Sequence, residues 1–143
     1  MLKARPDVWD IGAAIEQRLD LNWWRLAHTY RADLVDAGHP CLLWITRGDN
    51  RVPSGIWGHG QVLGPASLGT GDPDDPLWLD EVAQNQVRPR IEVELKVLGE
   101  PITREQILAD PRLSAMEILR VPRIGNPSAV TPEEWSTVCE LLP

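Results

Sequence analysis

The chain has 143 residues, 43% of them hydrophobic and 24% charged, which suits one globular domain with a core of its own. Its net charge of −7 argues against a protein that grips nucleic acid mainly by neutralising phosphates. No apolar run approaches the roughly 20 residues of a membrane span, and the start Met1-Leu2-Lys3-Ala4-Arg5-Pro6 lacks the apolar stretch of a secretory signal.

From Asp7, the apolar residues Val8, Trp9, Ile11, Ile15 and Leu19 recur near helical spacing, predicting a helix over 7–19 with Asp7 as its cap. Leu21-Asn22-Trp23-Trp24-Arg25 breaks that pattern. A short helical stretch is expected around Tyr30 to Val35, ended by Gly38-His39-Pro40. Cys41 to Thr46 is a continuous apolar run and reads as a buried strand. It leads through the turn-rich Arg47–Ser54 into a second strand, Gly55 to Leu63, to make a hairpin. Gly55, Gly58, Gly60 and Gly64 stud that second strand. Glycines so placed point to a bulge, a tight barrel bend or another backbone or ligand approaching closely.

Pro65 to Pro76 reads as a mobile loop, dispensable for the core. Val87 to Leu98 alternates, with Val87, Pro89, Ile91, Val93, Leu95 and Val97 opposite Arg88, Arg90, Glu92, Glu94 and Lys96. This is a half-buried strand. Thr103 with Gln106 forms a capping-box signal, and Thr131-Pro132-Glu133-Glu134 opens a last helix with cap, proline and first-turn acids in order. The whole is one α+β domain over 1–143, without the alternation of a nucleotide-binding sheet.

Chemistry is hard to find. No phosphate-binding loop is present, since the glycine-rich Gly55–Gly60 opens no helix. The three histidines are scattered, and no nucleophile has a base or orienting partner, so no catalytic residue is assigned. Cys41 and Cys139 have no CxxC context, which reads as free buried thiols in a reducing cytoplasm, with no metal site and no cofactor.

The aromatic inventory is unusual: seven Trp, one Tyr and no Phe. Tryptophan fills cores, yet it is also the best platform for stacking a base. Charge is uneven too. Residues 65–81 hold five acids and no base, whereas 112–130 hold three arginines and one acid. Three segments join an aromatic or apolar group to polar donors: Asn22–Arg25, Leu43–Arg47 with Ser54–Gly58, and Val121–Pro127. Converging, they would supply stacking walls and hydrogen bonds for a flipped base.

These segments resemble the EVE domain family. The likeness rests on Trp24-Arg25, on Leu43-Trp44-Ile45-Thr46-Arg47-Gly48 and on Gly55–Val62. It continues through Glu100-Pro101-Ile102-Thr103-Arg104-Glu105 and Ile118 to Trp135, covering about residues 7 to 142. It departs at Gln61, where members carry Glu, and in the short opening Leu2-Lys3-Ala4. The resemblance implies a small PUA-like β-barrel with flanking helices, related to the YTH readers of methylated adenine. It implies binding of a modified, often methylated, base in DNA or RNA, and a protein partner in a modification-dependent defence system. It puts Trp24 and Trp44 at the stacking walls and Thr46 and Asn126 at hydrogen-bonding positions. Arg25, Arg47 and Arg123 become phosphate or base-edge contacts, and Trp57 either narrows the pocket or fills the barrel. Trp9 and Trp135 are expected in the core, while Trp23 and Trp78 have no assigned role. A docking module for protein on the same barrel, without nucleic acid, is the competing expectation.

Overall fold

In the computed structural model, which describes residues 1–47, 51–121 and 123–143, the chain opens with strand β1 (Leu2–Ala4). Helix α1 follows, but it spans only Ile11–Glu16, and its cap is Asp10, whose side chain accepts from the Ala13 N–H. The expected start at Asp7 fails because Val8 and Trp9 serve a turn instead. The Asp10 N–H donates to Leu77 O, and Trp9 bridges Trp78 across the sequence. Leu21–Arg25, which has neither period, is strand β2. Then come α2 (Tyr30–Asp33) and the expected hairpin, β3 (Pro40–Ile45) and β4 (Gly55–Val62). Part of the expected turn-rich connection, residues 48–50, lies outside the described residues, as does residue 122.

The stretch from Pro65 to Pro76 is more than a loop. Ser67–Gly69 forms β5, paired with Arg88–Arg90, and Asp75 accepts the Trp9 indole N–H at 2.7 Å. After α3 (Glu81–Asn85), the alternating segment runs on to residue 103 as β6 (Arg88–Thr103). Helices α4 (Arg104–Ala109), α5 (Glu117–Arg120) and α6 (Pro132–Leu141) complete the chain. Both expected caps form as reciprocal capping boxes, Thr103 with Gln106 and Thr131 with Glu134.

The sheet runs β1-β3-β4-β6-β2, with β5 beside β6. Among the described residues, only β1 and β3 pair in parallel. β3 alternates between two cores. Leu43 and Ile45 face one, inside the curl of the sheet, with Ile11, Trp24, Val52, Trp57, Ile91 and Val93. Leu42 and Trp44 face the other, under the C-terminal helices, with Ile56, Ile107, Leu113, Met116 and Val138. Trp57 is the extra residue in β4 where Leu43–Trp44 opposes Gly58 and Ile56. Such a bulge bends a strand and re-aims a side chain.

The helices are tied by one strong ion pair. Arg31 of α2 reaches Glu117 of α5 through two N–H···O bonds of 2.7 and 2.8 Å, and Glu117 also accepts the Ala129 N–H. Chiefly through Arg31, the Glu117 carboxyl is held down at about 2, from an ordinary 4.5. The folded state therefore favours the carboxylate. Its contribution is complete above about pH 4.5 and is lost as pH falls towards about 2. Urea midpoints measured between about pH 5 and pH 2 should fall steeply for the native chain and more shallowly for Glu117→Gln.

Candidate nucleic-acid interface

Strand β1 is the hub on which several of the expected site residues meet. The Trp24 indole N–H donates to Lys3 O at 3.1 Å. The Asn126 amide donates to Lys3 O at 3.2 Å and to Arg25 O at 2.9 Å, while its oxygen accepts the Lys3 N–H at 3.1 Å. Thr46 Oγ1 donates to Ala4 O at 2.9 Å. Trp24, Asn126 and Thr46 are thus brought together. Two of them also do structural work: β1 and β2, the two outer strands of the sheet order, are strapped by Trp24 and Asn126 rather than by a backbone ladder.

Trp57 shares the inner core with Trp24, and its indole N–H donates to Pro53 O at 2.8 Å. Trp44 is not with them. It points to the other face of β3, into the helix-covered core, so Trp24 and Trp44 do not face each other. All three rings are buried, at 8% exposure for Trp24, 3% for Trp44 and 6% for Trp57. The ring that does meet Trp24 is Trp9, edge-to-face at 6.3 Å and 83°.

The cations are spread. Arg25 lies over Trp78, 5.2 Å from the ring centroid, and its guanidinium donates to Ala83 O and Gln86 O at the end of α3. Burial, and then the charges of Arg88 and Arg90, hold its pKa below the ordinary guanidinium value. Arg47 is exposed beyond β3 in a left-handed conformation, φ 51°, and Arg123 is exposed beyond α5. Trp23 and Trp78, unassigned from sequence, both carry an arginine, Trp23 beneath Arg90 at 4.9 Å. Only a partial signal for them stood in the sequence, and it did not give the pairing. Arg88 and Arg90 share the polar side of the alternating strand, and Trp23 precedes a buried Trp24.

Two described concavities lie elsewhere. An open groove of about 910 Å³ runs between Pro101, Gln106, Asp110, Pro111 and Leu141. A smaller one of about 360 Å³ lies by Pro40, His59, Gln61 and Lys96. None of the expected site residues lines either. Among the described residues no three His, Cys, Asp or Glu side chains are grouped to hold a metal, and no helix is long and apolar enough to cross a membrane. Cys41 is buried, which raises its thiol to about 11, whereas Cys139 is exposed, contrary to expectation.

Comparison with solved structures gives the fold. The chain is similar to Rpa0253 from Rhodopseudomonas palustris, solved by NMR, at 22% identity and a TM-score of 0.61, covering 99% of this chain and 90% of that one. It is similar to a crystal structure of a Pseudomonas putida protein at 15% identity and 0.61, covering 99% and 97%. A hypothetical protein from Leishmania major follows at 13% and 0.64, covering 98% and 90%. A search of curated proteins found no match. The curled mixed sheet with its helices is the α+β, PUA-like barrel that the sequence led us to expect, a fold compatible with nucleic-acid binding. The model of the EVE domain matches residues 1–141, and the chain belongs to that family.

Proposed function

We propose that this chain is a non-enzymatic reader that takes one modified, methylated base of DNA or RNA at the Trp24 end of its barrel. The observation that carries the reading is the convergence of Trp24, Trp57, Thr46 and Asn126 around β1 and the inner core, in a family and fold suited to nucleic acid. Trp9 meets Trp24 edge-to-face, so a base entering beside Trp24 would take the place of that contact. Trp9 sits outside the ladder, on the turn before α1, and its indole is held by Asp75. The nearby carboxylates support a binding role over a catalytic one. Asp75 accepts from Trp9 and from the Leu77 N–H, and Asp10 caps α1 and pairs with Arg51 at 2.8 Å. Arg47 and Arg123, both exposed, are free to meet the strand that carries the base. A reader without catalysis passes its signal to a partner, which on this reading is a protein of a modification-dependent defence system.

Titration of matched oligonucleotides, plain and base-methylated, at low salt tests the reading. The methylated strand should bind more tightly, and Trp24→Phe, which keeps a ring but loses the donor to Lys3 O, should reduce that preference. Stacking of this kind is worth about 1–3 kcal/mol per base. Equal affinity for every strand would sink the proposal.

A further inference from the structure

The outer face of β2 and β6 carries tryptophan and guanidinium groups that the barrel interior does not use. Trp24 and Ile91 oppose each other and point inward. Trp23, Arg25 and Arg90 occupy the alternate positions, and Trp23 is 52% exposed. Arg90 stacks on Trp23 at 4.9 Å, Arg25 lies over Trp78 at 5.2 Å, and Arg88 donates twice to the Gln86 side chain.

Two glycines make the seats for these groups. A Cβ on Gly69 would come within 2.6 Å of Arg90 Nε, and one on Gly71 within 2.5 Å of the Trp78 ring. Arg25 and Arg88 are further oriented by the bonds they donate to residues 83 and 86. Yet no described carboxylate forms an ion pair with Arg25, Arg88 or Arg90. The Nε atoms of Arg25 and Arg90 are buried without a hydrogen-bond partner. Glu92, opposite Trp23 in register, ends the cationic run.

On a chain with a net charge of −7, three guanidiniums held side by side without a carboxylate repel one another. A polyanion relieves that repulsion. A half-exposed indole next to them adds a flat face for an unpaired base.

We propose that this outer strip binds single-stranded nucleic acid, with Trp23 stacking one unpaired base and Arg88 and Arg90 holding adjacent phosphates. The inference rests on the reading of the chain as a nucleic-acid binder, but not on the barrel pocket.

The test is fluorescence titration of a short single strand, plain and base-methylated, with the plain duplex alongside. Trp23→Ala should weaken both single strands by roughly tenfold and leave the ratio between them unchanged. Arg88→Gln with Arg90→Gln should flatten the dependence of log affinity on log salt by about 0.7 for each phosphate no longer neutralised. Gly69→Val, which keeps both arginines but unseats Arg90, should act in the same direction. Variants that melt like the native chain and still bind both single strands as it does would overturn the strip. So would a duplex bound as tightly as the single strand. If plain and methylated strands bind equally, yet both weaken on Trp23→Ala, the strip stands and the pocket reading falls.

Discussion

Gly60→Ala is expected to destabilise the barrel by about 3 kcal/mol or more, at the severe end of what overpacking costs. In the ladder between β4 and β6, Gly60 opposes Leu95. A Cβ at residue 60 would stand 1.8 Å from Glu94 O and 2.8 Å from the carbon that bears it. Those atoms are backbone, so no side-chain rotation relieves the clash. Either the two strands separate or the hydrogen-bond register slips, and β4–β6 is a central pairing of the sheet. Gly64, just past the end of β4, is the control. Nothing lies within 4 Å of a Cβ there, and Gly64→Ala should stay within about 0.5 kcal/mol of the native chain. Urea unfolding followed by circular dichroism separates the two. Equal midpoints for both variants would show that β6 does not lie where it is described.

Trp24→Ala should cost about 3–5 kcal/mol, the range for removing a large buried aromatic. Three losses coincide at this residue: its packing in the inner core, its edge-to-face contact with Trp9, and the indole donor to Lys3 O. The last matters beyond its own bond, because it straps β1 to β2. Trp24→Phe restores most of the packing, so its stability loss should be nearer the 1 kcal/mol of one hydrogen bond. Thermal unfolding of both variants checks this ordering. A Phe variant as unstable as the Ala variant would make the strap, not the packing, the dominant effect.

Much of the fold was legible because local rules and tertiary structure agreed. β6 alternates cleanly since one side packs on the inner core while Glu92, Glu94 and Lys96 face water. The capping boxes at Thr103 and Thr131 need only four consecutive residues, so sequence suffices for them. The glycines of β4 were a sound sign of a bulge and of an approaching backbone, and both are found. What failed was set by distant partners. Trp9 looked like a helix-face residue, but Trp78 and Asp75 claim it, and α1 starts two residues later. β2 was hidden because a register shift between Leu21 and Trp23 spoils its period.

The site divides along the same line. The segments bearing Trp24, Thr46 and Asn126 meet on β1, a convergence that the sequence left open. That Trp44 belongs to a different core follows from strand parity, which puts it with Leu42 and not with Leu43. A continuous apolar run such as Cys41–Ile45 is buried on both faces and does not announce which side is which. The pairing of Trp23 with Arg90 and of Trp78 with Arg25 depends on strand order, and sequence alone does not supply it.

The seven tryptophans make the central claim directly measurable. Each indole N–H gives its own cross-peak in a nitrogen–proton correlation spectrum of the labelled protein, so a titration reports on every candidate wall at once. Adding a methylated single strand should shift Trp24, Trp9 and Trp57 at the barrel end, with Trp44 and Trp135 of the second core unmoved. The plain strand at the same concentration should shift Trp23 and Trp78 alone. Binding that leaves Trp24 in place, or a plain strand that moves Trp24 as far as the methylated one, would contradict the account.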